Sequence, residues 1–202
     1  MRGIISNRML KNHKAIKALT LSDFGVWSGS SLIATIFPLF VINQIPGATV
    51  TDAGIASMLY LGFGAVLNLP LGNYMDKHKG YIDELYLLAG SNLFRGIALL
   101  FMAFNTNLYF LFLLQILLGI SKSMNYMSWR ILFTKFLDPY NLGKEWGIYD
   151  TIMSLGFGVA AFLGGYLGEN LGFNIVIIIG GIMSLISTIF PLMSYKEVDG
   201  VK

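Results

Sequence analysis

The chain has no cysteine among its 202 residues, so it closes no disulfide and offers no thiolate to a metal or a substrate. Charge is scarce: Asp, Glu, Lys and Arg make up 12%, against about 25% in an ordinary soluble domain. The two histidines, His13 and His78, lie in basic segments rather than in apolar runs, which leaves an intramembrane Ser–His pair without its base. There is no Asn-Pro-Ala pore motif, no low-complexity tract and no linker-like stretch. These absences argue against an intramembrane enzyme or a channel and call for no metal or cofactor. They leave one domain over residues 1–202.

Apolar residues are abundant, at 55% with a mean hydropathy of +0.66. They fall in six runs, at about 23–44, 53–75, 85–104, 108–128, 147–168 and 173–194, each near the roughly 20 residues that a membrane span needs. Turn chemistry separates them: Pro46-Gly47, Asp76 through Gly80, Asn105-Thr106-Asn107, Asp138-Pro139-Tyr140-Asn141 and Glu169-Asn170. The fold class is therefore all-α, with six transmembrane helices and the lipid bilayer as first partner. Arg2, Arg8, Lys11, Lys14 and Lys17 before the first run imitate a signal peptide, but the run continues to Ile42 without a small-residue cleavage site, so it reads as a retained helix. The net charge of +3 does not point to nucleic acid, because the basic residues lie between apolar runs rather than among aromatics on a soluble surface.

Their distribution sets orientation. The N-terminal five, Lys77 and Lys79, Arg130, Lys135 and Lys144, and Lys196 and Lys202 put twelve of the fourteen Lys and Arg on one side. The opposite loops, 45–52, 105–107 and 169–172, carry none. Since cytoplasmic loops retain positive charge, both termini are expected in the cytoplasm, in a multi-pass protein of the cell membrane.

The other two cations, Arg95 and Lys122, lie inside spans. Arg95 is roughly 18 Å along the third, and a charge at that depth costs at least ~2.5 to 3.5 kcal/mol on insertion scales. Each either faces a water-filled cavity or serves as a structural hydrogen-bond hub or snorkelling side chain. Gln115, Gly119, Lys122, Tyr126 and Trp129 share a face about 80° wide on the fourth span. Asp23, Trp27, Ser30 and Ala34, with Ser31 beside them, form a weaker stripe on the first. Asp23, Trp27, Ser30, Gln115, Lys122 and Tyr126 are the candidate cavity residues. Serines in spans also bond their own backbone, and Asp23 and Asp150, near span ends, can equally be solvated or capping residues. Asp150, Ser154, Gly158, Ala161, Gly165 and Gly168 form a small-residue track on the fifth span, and Gly64, Asn68 and Gly72 one on the second.

Gly72-Asn73-Tyr74-Met75-Asp76-Lys77-His78-Lys79-Gly80 resembles the signature between the second and third helices of the major facilitator superfamily, in register at Gly72, Asp76 and Lys77. Gly156 through Gly165 resembles that family's antiporter signature in the fifth helix, with Ala160-Ala161 in place of Gly-Pro. The resemblance covers nearly the whole chain as one six-helix half of the usual twelve. It implies two inverted three-helix repeats, with the first and fourth helices lining a cavity and the second and fifth meeting another half. It implies gating by Gly72, Asp76 and Lys77, joined at the same membrane face by Arg130 and Asp150. The third helix is peripheral in such a half, so the family gives Arg95 no standard role; an inward direction toward the second helix, near Asn68, is expected.

The implied function is alternating-access transport of a small solute, as a homodimer or with a second half of the same kind. A non-transporting membrane subunit or assembly partner with the same fold is the alternative. Lys122 favours an anionic solute unless a salt bridge to Asp23 cancels its charge.

Overall fold

In lipid no water is available to backbone N–H and C=O groups, so an apolar run satisfies them internally by forming a helix. A computed structural model describes residues 2–77 and 80–199 in these terms. The helices are α1 (Arg2–Gln44), α2 (Val50–Lys77), α3 (Ile82–Ala103), α4 (Leu108–Phe136), α5 (Leu142–Leu171), α6 (Phe173–Ser187), α7 (Ile189–Met193) and α8 (Tyr195–Asp199). Six stretches are long and apolar enough to cross a membrane, the sixth being α6 with α7 over Phe173–Met193. Short connections make successive spans antiparallel. The side chains of Arg2, Arg8 and Lys11, and all of His78, Lys79 and Lys202, lie outside the described residues.

Several helices outrun the apolar segments. α1 starts well before residue 23, α4 continues past 128 to Phe136, and α5 begins at Leu142 rather than 147. Hydrophobicity marks the lipid boundary, whereas a helix propagates until a breaker stops it. For α4 the breaker is Pro139, which disfavours helical geometry before it; Leu137 is already extended. At the α5–α6 junction Gly172, with φ +94°, turns the chain in a conformation other residues rarely adopt.

The sixth span differs more. Expected as one helix, it breaks at Thr188, three residues before Pro191. Proline has no N–H, so it cannot donate to the carbonyl of Ser187 one turn back. That oxygen accepts from Ser22 Oγ and Asn92 Nδ2 instead, each at 3.2 Å. Asn92 Nδ2 also lies 3.0 Å from Ser22 Oγ, and Asn125 Nδ2 donates to Asn92 Oδ1 at 2.7 Å. One buried network thus ties α1, α3, α4 and α6 together.

α2 packs chiefly on α4, α1 on α5 and α6, and α3 on α4 and α6. The small-residue tracks explain much of this closeness, though not as expected. On α2, Gly64 approaches Gly119 of α4 so closely that a Cβ on Gly119 would stand 2.6 Å from the Tyr60 carbonyl. Gly72 meets Met127, and Asn68 accepts from Ser123 Oγ at 2.6 Å. The α2 track is therefore used inside the bundle. On α5 the packing stripe is Gly156, Ala160, Gly164 and Gly168, with Gly164 against the backbone of Leu32 in α1. Asp150, Ser154 and Gly158 of the expected face are exposed.

Candidate functional site

Among the described residues, a lower and an upper cavity adjoin along the bundle. The lower one, of about 470 Å³, lies toward the end where the basic loops gather and is lined by Asp23, Trp27, Asn68, Lys122, Tyr126, Trp129, Tyr149 and Phe157. The upper one, of about 450 Å³, is lined by residues that include Trp27, Ser30, Ser31, Ser57, Tyr60, Arg95, Gln115, Lys122 and Phe157, with an apolar remainder. Trp27, Lys122 and Phe157 belong to both linings and so stand between them. Asp23, Trp27, Ser30, Gln115, Lys122 and Tyr126, drawn from stripes on two helices, each line at least one cavity.

Arg95 turns inward and reaches α2, the expected direction, but through Tyr60 rather than Asn68. It does not approach Asn68, whose partner is Ser123. Its guanidinium instead crosses to α1 and α2, where Nη2 donates to Ser30 Oγ at 2.6 Å and Nη1 to the Tyr60 hydroxyl at 3.4 Å. Its Cζ lies 5.8 Å from the ring centres of both Trp27 and Tyr60. Ser30 passes its own proton to the Val26 carbonyl at 2.7 Å, so its oxygen is free to accept from arginine. A helix that the family resemblance makes peripheral thus delivers a cation to the cavity wall. Lys122 Nζ stands 5.0 Å from the same Tyr60 ring, and no Asp or Glu lines the upper cavity.

The lower cavity has the opposite polarity of design. Asp23, buried in α1, accepts a hydrogen bond from the Tyr149 hydroxyl of α5 through Oδ2, and its Oδ1 has no partner. Tyr149 belongs to an aromatic cluster: it stacks on Trp129 at 4.8 Å and meets Trp146 edge-on at 5.7 Å, while Trp129 stacks on Phe133 at 4.4 Å. Trp129 Nε1 donates to the Leu19 carbonyl at 3.1 Å, which joins α4 to α1. Ser31 Oγ, bonded to the Phe157 carbonyl at 3.0 Å, makes the second link from α1 to α5.

The expected gating residues lie at the basic end. Asp76, Lys77 and Asp150 are exposed, Gly72 is half-buried, and Arg130 is exposed with Nη1 3.0 Å from the Tyr126 hydroxyl. Gly80 has φ +121°, which accounts for glycine at the end of that turn. In the α4–α5 loop the Asn141 side chain, and then the Tyr140 backbone N–H, hold the Asp138 carboxyl below its ordinary pKa.

Sequence reasoning missed Tyr60, Tyr149 and Phe157. Tyr60 and Phe157 sit in apolar runs where an aromatic residue is ordinary, and Tyr149 has meaning only through Asp23, 126 residues away in the chain.

A family model for the Major Facilitator Superfamily matches residues 19–200. An uncharacterised MFS-type transporter of Methanocaldococcus jannaschii is 22% identical over 190 residues, 94% of this chain and 48% of that relative. The chain therefore spans about half the length of that protein. The uncharacterised MFS-type transporter YitZ of Bacillus subtilis is 27% identical over 140 residues, 69% of this chain and 82% of the relative, so YitZ is itself shorter than this chain.

Proposed function

Because the chain belongs to the major facilitator superfamily, we propose that it carries a small solute across the membrane by alternating access, with Lys122 at the narrowest point of the path. The observation that carries this reading is the pair of cavities meeting at Trp27, Lys122 and Phe157. A carrier needs a mid-membrane site that can be reached from either end but through one barrier at a time. The basic end is the cytoplasmic one in this reading, and the six spans form two inverted repeats.

The other wall of the path comes from a second half, which we take to be a second copy of this chain. The exposed face of α5, with Ser154 and Gly158, offers close approach for it. Asp76, Lys77, Arg130 and Asp150 then hold the cytoplasmic entrance shut, with the carboxylate of Asp76 at the positive start of a facing helix.

Flux in proteoliposomes tests the central claim. Lys122→Ala retains a monodisperse elution profile and loses uptake; unchanged uptake refutes the role of Lys122. Because the chain has no cysteine, single cysteines at Leu71 and Gly147 report the dimer. Crosslinks between coexpressed single mutants in native membranes support it, and a strictly monomeric protein that still transports in lipid rules it out.

A further inference from the structure

We infer that the upper cavity selects an organic anion: one carboxylate-like head seated by Arg95 and Lys122, and an apolar body lying toward Phe37, Leu61 and Met102. This deepens the transport reading and rests on it for the direction in which the solute moves.

Two cations converge on one ring, Arg95 at 5.8 Å and Lys122 at 5.0 Å from the centre of Tyr60. Like charges so placed repel unless something negative lies between or beside them, and the cavity lining supplies no carboxylate. Arg95 is 5% exposed, and its guanidinium is held on one side by Ser30 and between two aromatic faces. Those contacts fix its plane but do not use it up. Nε has no acceptor, and a guanidinium carries five N–H donors in a fork that matches a carboxylate. An arginine retained in a span for packing alone pairs with an acid or with backbone carbonyls; this one bonds a serine and a tyrosine at the edge of a cavity. Ser31, Ser57 and Gln115 aside, the rest of the wall, including Ile33, Leu99 and Leu118, is apolar, and Ser31 and Ser57 already give their protons to backbone carbonyls. This apolar wall gives a bare inorganic anion nothing to bind and gives a hydrocarbon or aromatic body a place to lie.

The 202-residue chain in lipid nanodiscs at pH 7 is tested with four probes: benzoate, benzamide, benzylammonium and inorganic phosphate. Benzoate raises the thermal unfolding midpoint, and the neutral and cationic analogues do not. Phosphate displaces radiolabelled benzoate at least about tenfold less well than unlabelled benzoate does. Arg95→Gln weakens benzoate binding by about tenfold or more, and Arg95→Lys by less. Benzamide or benzylammonium binding as well as benzoate overturns the inference, as does phosphate equal to benzoate, no binding of benzoate, or unchanged affinity in a folded Arg95→Gln. The wild-type comparison decides the matter even where the variant misfolds. Benzoate bound but never moved across proteoliposomes refutes transport and leaves the anion site standing. Flux of a cation that is indifferent to Arg95→Gln does the reverse.

Discussion

The two cavities differ in how they treat charge. On the upper side of Trp27, Lys122 and Phe157, which both cavities share, Arg95 and Lys122 lie against aromatic faces with no acid in the lining. Below them, Asp23 is tied to the Tyr149 hydroxyl within an aromatic cluster. The carboxylate and the ammonium border the same lower cavity, yet Asp23 bonds a phenol and Lys122 sits against Tyr60. The carboxylate and the ammonium thus have separate partners, and the acid joins α1 to α5. A single cation–π contact yields about 0.5 to 2 kcal/mol, less than the ~2.5 to 3.5 kcal/mol cost of a charge at mid-bilayer; Lys122 has one such contact, whereas Arg95 has two and two hydrogen bonds besides.

Placing an acid in the upper lining is the harshest way to erase the difference between the cavities. Lys122→Glu supplies Arg95 with an internal counterion, and uptake in proteoliposomes falls to background while the protein still elutes as folded material. In the lower cavity, Tyr149→Phe removes the partner of Asp23. Labelling of a cysteine placed at Asn68 then rises several-fold from the basic side, and ligand stabilisation from the upper cavity is unchanged; equal labelling denies the Asp23–Tyr149 contact any closing role. Asn92→Ala probes the support shared by both cavities. It removes two or three interhelical bonds averaging about 0.6 kcal/mol each in membranes, so unfolding in mixed micelles shifts by roughly 1 to 2 kcal/mol with selectivity intact. The smallest effect is on the exposed α4–α5 loop. Because the folded-state pKa of Asp138 is depressed, its contribution is present above its unfolded value near ~3.9 and lost as pH falls through the folded one. Protection of the Tyr140 amide from hydrogen exchange is therefore flat between neutral pH and mildly acidic conditions, and declines only below.

The spans and their order were legible because burial in lipid demands long apolar runs, and the stripes on α1 and α4 because polar residues there recur every three or four positions. Arg95 marked itself by depth, but its direction depends on Ser30, which lay in the α1 stripe with nothing to tie it to α3, and on Tyr60 of α2. The α5 stripe was misplaced because Gly and Ala occupy two of its faces, and sequence does not say which meets α1. The break in the sixth span follows from Pro191, a signal present in the chain and outweighed by continuous hydrophobicity.

That break has a meaning in the order of synthesis. α1, α3 and α4 enter the membrane before the sixth span is made, and until it docks, the Nδ2 donor of Asn92 lacks the Ser187 carbonyl it shares with Ser22. A proline that weakens one helix thus leaves an acceptor that the earlier helices complete, so the last span to be made is held in register by side chains of α1 and α3.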